Sequence, residues 1–200
     1  MPGWADALTG GVLEVAPRLL GGVLRHRDVA VRLTEVEAYD GGADPGSHAY
    51  RGLTRRNAVM FGPPGRLYVY FTYGMHHCCN VVVGADGDPA AVLLRAGQVT
   101  AGVELARERR QSTDRDLARG PARLCQALGI DLSHNGTDLS RGDLTLDLDL
   151  DVSRTLAVRT GPRVGLRQAA DRPWRFWVDG EPTVSVYRPA AARSHTKVDG

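Results

Sequence analysis

The sequence predicts an α+β fold, and three observations carry that prediction. Short apolar or alternating runs recur along the chain, punctuated by Gly and Pro, and read as strands. A smaller number of segments read as helices. Neither a repeat nor a long linker divides the 200 residues, which suits one domain spanning 1–200.

The elements follow in order. Leu13 to Leu20 reads as a short helix interrupted by Pro17. Two β-like runs come next, Gly22–Arg25 and Val29–Tyr39, joined by a tight turn at His26-Arg27-Asp28. Gly41 to Gly46 is a loop, and Arg56 to Phe61 is a helical turn stopped by Gly62-Pro63-Pro64-Gly65. Arg66–Phe71 and His77–Val83 form a strand pair around Thr72-Tyr73-Gly74-Met75, where Gly74 supplies a positive φ. Ala90–Ala96 is a further buried strand, and Gly102–Gln111 and Pro121–Leu128 are helices. Leu144, Leu146, Leu148 and Leu150 alternate with polar residues, which predicts one long strand and argues against a calcium loop at Asp147–Asp151. Arg175–Val178 and Thr183–Tyr187 read as short strands, and the last dozen residues as a flexible tail.

Composition narrows the class. No stretch is long or apolar enough to span a membrane, and the first residues lack a signal peptide's pattern, so the expectation is a cytoplasmic protein. The net charge of +2 decides nothing, but the cations are nearly all Arg, with Lys197 the only lysine. Base composition of the genome is the readier explanation of this bias, although Arg also suits bidentate phosphate contact. Cys78, Cys79 and Cys125 are too few for a disulfide framework. His76-His77-Cys78-Cys79 resembles a metal cluster, but neighbours in a strand face opposite ways and no Cys-x-x-Cys follows, so no metal is expected.

Three groups of residues could carry chemistry. On a regular strand, Val31, Leu33, Glu35, Glu37 and Tyr39 share one face. Two acids there are either a solvated edge or a buried pair, and a buried pair would raise the pKa of at least one member; a bulge would separate them. Tyr68 and Tyr70 point the same way, with Tyr73 at the following tip, as core and surface residues or as a stacking platform with a wedge. Arg51, Arg55 and Arg56 are a solvated face or a phosphate contact. There is no phosphate-binding glycine loop before a helix, and no Gly-x-Ser-x-Gly elbow.

Taken together, the segments resemble the alkyladenine (3-methyladenine) DNA glycosylase family. The resemblance rests on Glu35-Val36-Glu37-Ala38-Tyr39, His48, Thr54–Phe61, Pro64–Tyr70, Tyr73-Gly74-Met75, Asn80, Val92–Ala96, Gly120–Leu128, Arg163-Val164-Gly165 and Trp174–Val178, in that order. It implies a single compact α+β domain with a mixed, largely antiparallel sheet, surrounding helices and a protruding, DNA-intercalating β-hairpin. It also implies roles. Glu37 would be the general base for the attacking water, which Arg95 and the backbone carbonyl of Val164 would help position. Tyr39 and His48 would pack on the extruded base from one side and Tyr70 from the other. Asn80 would crowd the purine edge, Tyr73 would fill the gap in the duplex, and Arg51, Arg55 and Arg56 would hold phosphates. The expected partner is double-stranded DNA containing damaged purines, bound by a monomer without cofactor.

The chemistry expected on this resemblance is hydrolysis of a purine N-glycosidic bond through an oxocarbenium-like sugar, leaving an abasic site. Strand nicking needs an amine nucleophile, and a lone Lys197 in a tail argues for a monofunctional enzyme. Two rivals use the same residues differently: a non-catalytic nucleic-acid-binding module, and a nucleoside hydrolase that has no use for Tyr73.

Overall fold

β2 (Val29–Asp40) is the hub of the fold. In the computed structural model, which describes residues 4–72 and 74–191, it runs antiparallel to β5 (Ala90–Ala101) along nearly its whole length. Its other edge is shared: β1 (Val23–His26) pairs with its first four residues, and β8 (Arg175–Val178) with Glu35, Val36 and Glu37. Beyond β5 lie β4 (His76–Val83) and β3 (Leu67–Thr72); beyond β1 lies β6 (Leu144–Asp147), and β7 (Val158–Gly161) pairs with β8. A strand flanked on both edges and packed on both faces is apolar for most of its length, as the run from Val29 to Val36 is.

Every strand pairing among the described residues is antiparallel, which corrects the expected mixed sheet. The links explain it. β1 turns into β2 through Arg27-Asp28, and β3–β4 and β4–β5 are likewise joined by short loops, none of which is long enough for the crossover that a parallel pair needs.

Helices are short and lie around this sheet. α1 (Trp4–Ala7) and α2 (Val12–Val15) lead into a 3-10 turn, Ala16–Leu19, where Pro17 fits the first turn and replaces the single helix expected there. α3 (Val103–Arg109) follows β5. α4 (Pro121–Leu128) buries Leu124, Cys125, Ala127 and Leu128 along one stripe, against β4 and β5. It ends where Gly129, at φ +70, caps the last turn in the left-handed region. None of the described helices is long and apolar enough to cross a membrane.

Two predicted strands are corrected. The Leu144–Leu150 alternation stops at Asp147, because the Asp149 carboxylate accepts from the N–H groups of Asp151 and Val152 and caps α5 (Leu150–Thr155) instead. Thr183–Tyr187 is no strand either. Its polar groups are taken by side chains remote in sequence: Val184 O accepts from half-buried Arg119, and Ser185 N–H donates to buried Glu35. The segment is a strap across the sheet rather than part of it. The tail predicted to be flexible lies outside the described residues from 192 onward, and so does Tyr73.

The main core fills one face of the sheet, joining Val31, Leu33, Val36 and Ala38 of β2 to Leu67, Val69, Cys79, Val81, Val92 and Leu94. A smaller apolar cluster, Ala49, Met60, Tyr68, Val82 and Ala91, lies on the opposite face. That opposite face carries the site.

Candidate active site

Leu33 and Val36 both enter the main core although they are three positions apart, an odd step. A bulge makes this possible. Leu33 pairs with Gly97 and Glu35 with Ala96, so Thr34 is an extra residue on β2. The strand changes phase there. Val31 and Leu33 point into the core, while Glu35, Glu37 and Tyr39 point to the other face, which corrects the single face expected for all five. β5 carries a compensating irregularity, since Glu35 pairs with Ala96 and Val36 with Leu94. Arg95 is the residue left over, and its guanidinium lies against both acids. Alternation does the rest: Tyr68 and Tyr70 on β3, and Cys78 and Asn80 on β4, share this face.

Both acids are fully buried, and their surroundings differ. Glu35 accepts from Arg95 Nε at 2.8 Å, Arg175 Nε at 2.6 Å, Ser185 N–H at 2.6 Å and Ser185 Oγ at 2.9 Å. Burial alone would raise its pKa, but Arg95, Arg175 and the Ser185 N–H outweigh that and hold it below the usual carboxylate range. The raised pKa expected of a buried pair is therefore not found at Glu35. Glu37 accepts from Val164 N–H at 2.6 Å and Tyr39 Oη at 2.9 Å, with Arg95 Nη1 at 3.4 Å. Burial, then the neighbouring Glu37, pushes the Tyr39 phenol well above its ordinary pKa, which keeps it a donor.

In front of Glu37 lies a cavity of about 280 Å³, walled by aromatic rings. Tyr39, Arg95 and Val164, the three residues that hold Glu37, all line it, so the acid sits one layer behind the wall. His48, Tyr68, Tyr70 and Asn80 line it too. His48 lies on the exposed rim, its Nδ1 3.0 Å from Tyr68 Oη and its ring edge-on to Tyr70 with centroids 4.6 Å apart. A stacked base needs more room than that between those two rings, so His48 and Tyr70 meet at one side of the opening. Asn80 is fixed by its Nδ2, which donates to Tyr68 O.

A second buried ion pair shapes the wall. Arg163 and Asp44 are both inaccessible to solvent and form a two-pronged pair, with Arg163 Nη1 also donating to Ala38 O at 2.9 Å. The guanidinium stacks between Tyr39, at 4.7 Å, and Trp174, at 5.1 Å. This clamp fixes Val164, the next residue, with its N–H on Glu37. The sequence reading concerned the Val164 carbonyl; the contact seen here is made by its N–H.

Arg51, Arg55 and Arg56 are exposed, and none of them lines the cavity. Arg56 crosses the Tyr70 ring at 5.5 Å and reaches Phe71 O at 3.4 Å, while Arg51 and Arg55 have no carboxylate partner among the described residues. Sequence reasoning missed Asp44, Arg163, Arg175 and Ser185 as parts of the site. Arg175 carried a signal, since a charge inside the apolar run Trp174–Val178 needs a buried partner. Asp44, in a glycine-rich loop, carried none. Among the described residues no cluster of His, Cys, Asp and Glu could hold a metal: Cys78 faces the cavity and Cys79 the core.

A buried carboxylate behind a ring-lined cavity, with Arg56 over one of the rings, is compatible with a hydrolase that works on a nucleobase. The sequence pattern of the methylpurine-DNA glycosylase (MPG) family matches residues 6–182, and the chain belongs to that family. It is accordingly a DNA glycosylase, a hydrolase of N-glycosyl bonds in DNA repair. Bacterial relatives are similar throughout. One from Streptomyces avermitilis is 55% identical, covering 91% of this chain and 90% of its own. One from Leifsonia xyli is 53% identical, covering 92% and 91%. One from Nocardia farcinica is 54% identical, covering 86% and 85%. Each is named "Putative 3-methyladenine DNA glycosylase".

Proposed function

We propose that this chain is a monofunctional glycosylase of base excision repair that draws an alkylated or deaminated purine, 3-methyladenine among them, out of duplex DNA and hydrolyses its N-glycosidic bond with a Glu37-activated water. The observation that carries this reading is the Glu37 carboxylate, buried behind the cavity and held by three of its lining residues. A carboxylate offers about four acceptor positions. Val164 N–H, Tyr39 Oη and Arg95 take three, which leaves one for a water facing C1′ of the sugar. As the bond breaks the sugar becomes cationic, and the same carboxylate both stabilises that charge and takes the proton.

Selection follows from the walls. Alkylation at N3 or N7 makes a purine cationic and a better leaving group, and a cation stacks well on Tyr39, His48 and Tyr70. Normal bases cost more to extrude. Asn80, on the cavity wall, would crowd an exocyclic amine on normal guanine. Tyr73 would fill the vacated stack from the turn that Met75 N–H and Thr72 O close at 3.2 Å. Arg51, Arg55 and Arg56 would hold the phosphates. With Lys197 the only lysine, no Schiff base is expected and the product is an intact abasic site.

The test is base release from duplexes carrying alkylated purines or hypoxanthine, scored by alkaline strand cleavage without added metal. Glu37→Gln should bind the lesion yet release the base at least about a hundredfold more slowly in single turnover. Turnover near wild type would remove Glu37 from the role. Borohydride trapping of a covalent adduct would overturn the monofunctional reading.

A further inference from the structure

We infer that a cationic groove beside the base cavity, between the start of α4 and the strap, holds the phosphodiester next to the extruded nucleotide, with Arg123 and Arg188 as its binding groups. The inference rests on the reading of the cavity as a base pocket. The groove encloses about 380 Å³ and shares Thr72, Cys78, Arg95, Pro121 and Val164 with the cavity, so the two are one continuous depression. Their linings differ, although Arg95 belongs to both. The cavity is walled by Tyr39, His48, Tyr68 and Tyr70. The groove has no Tyr, Phe or Trp and no acidic side chain, but it holds Arg95, Arg119, Arg123 and Arg188. A nucleotide divides the same way, into a flat ring and an anionic linkage.

The charges there are not all committed. Glu35 and Glu37 neutralise Arg95, and Arg119 pairs with Asp116 and donates to Val184 O. Arg123 and Arg188 are exposed and, like Arg51 and Arg55, have no carboxylate partner among the described residues, whereas Arg107 pairs with Asp114, Arg154 with Asp151 and Arg159 with Asp179. His76 supplies an independent sign of a missing ligand. It lines the groove, and its Nδ1 is buried without a hydrogen-bond partner among the described residues. α4 begins at the groove with no side-chain cap, which leaves the N–H groups of its first turn available to an anion. The strap fixes the far wall: Arg188 O accepts from Gly165 N–H, beside the Val164 that holds Glu37. A phosphate in the groove is thus registered against the base in the cavity.

The experiment measures binding to a duplex with a non-cleavable abasic analogue, by fluorescence anisotropy over a range of potassium chloride. Removing both cations, as Arg123→Ala with Arg188→Ala, should flatten the slope of log affinity against log salt by about 0.9, the value for one phosphate no longer neutralised. Arg154→Ala with Arg159→Ala, two exposed arginines outside the groove, corrects for the change in net charge. A neutral methylphosphonate placed in turn on either side of the analogue adds a measurement that needs no variant. At one of the two positions wild type should lose about tenfold in affinity, and the double variant should lose nothing further. An unchanged slope, or equal losses in both proteins at both positions, overturns the groove assignment. Base release by wild type is measured alongside. If release occurs while the slope does not change, the groove alone fails; if no lesion is released, the reading of the cavity fails.

Discussion

Glu35→Gln tests whether the first acid of the pair holds the site together while the second reacts. In the folded protein Glu35 is fully buried between two guanidinium groups that are themselves nearly inaccessible, with side chains 7% and 5% exposed for Arg95 and Arg175. Three of its four contacts fall on Oε1 and one on Oε2. An amide can keep its oxygen at the first position. Its NH2 group then faces the Ser185 N–H, donor against donor, and Arg175 loses its only carboxylate among the described residues. Removing one partner from a buried ion pair costs about 3–5 kcal/mol. For a domain of this size that lowers the melting temperature by about 6–20 °C. The pH dependence adds a signature. Since the folded pKa of Glu35 lies below its ordinary value of 4.5, its contribution is complete above that value and is lost as pH falls through the folded pKa. The variant lacks this titration, so its acid limb should be flatter than that of wild type. Urea denaturation followed by tryptophan fluorescence, at neutral pH and at a series of lower values, measures both effects. A loss within about 0.5 kcal/mol, the range of an ordinary surface substitution, with an unchanged acid limb would refute the structural role.

Three other outcomes follow from the same geometry. Tyr39→Phe removes one of the donors on Glu37, and single-turnover base release should slow about ten- to a hundredfold, the worth of a hydrogen bond to a charged group. The thiols should be inert: burial pushes Cys78 up to about 11, and a hydrogen bond with Cys79, with burial, raises Cys125 well above the ordinary range. Iodoacetamide at pH 8 should therefore add nothing to the native protein and three groups to the denatured one, as read by mass spectrometry. Gly97→Ala would place a Cβ 2.4 Å from Arg32 O on the facing strand, and should destabilise by about 1–3 kcal/mol in urea titration.

Much of the architecture was legible because local chemistry agreed with the fold. α4 runs from Pro121 to Leu128 as read, with Pro at its start and Gly just past its end, and β8 spans Arg175–Val178 as read. Failures came where a side chain competed with the ladder. The Leu144–Leu150 pattern has a strand's period, but Asp149 offers two backbone N–H groups a better partner. Thr183–Tyr187 has a strand's composition, but Glu35 and Arg119, remote in sequence, take its polar groups. The site divides likewise. Glu37, Tyr39, Tyr70, Asn80 and Arg95 lie in contiguous motifs and were named; Asp44 and Ser185 matter only through partners more than a hundred residues away.

The Thr34 bulge is the step on which the placement of the two acids depends, and alternation cannot reveal it. On a regular strand both acids would follow Val31 and Leu33 into an apolar core, where a carboxylate without partners would be neutralised or would unfold the sheet. The extra residue turns them to the face where Arg95 and Arg175 stand. Thr34 is itself secured, its hydroxyl 2.9 Å from that of Thr183 in the strap, so the device that rotates the strand also docks the segment bringing Ser185 to Glu35. Two acids of one kind, two residues apart on one face, thereby acquire different work. Glu35 is saturated by four hydrogen bonds from three residues and has nothing left for a substrate. Glu37 shares Arg95 at a longer distance and takes one N–H and one phenol, fewer contacts than Glu35 has. Arg95 joins the two, so the charge that fixes Glu35 also acts on Glu37, the acid proposed to react.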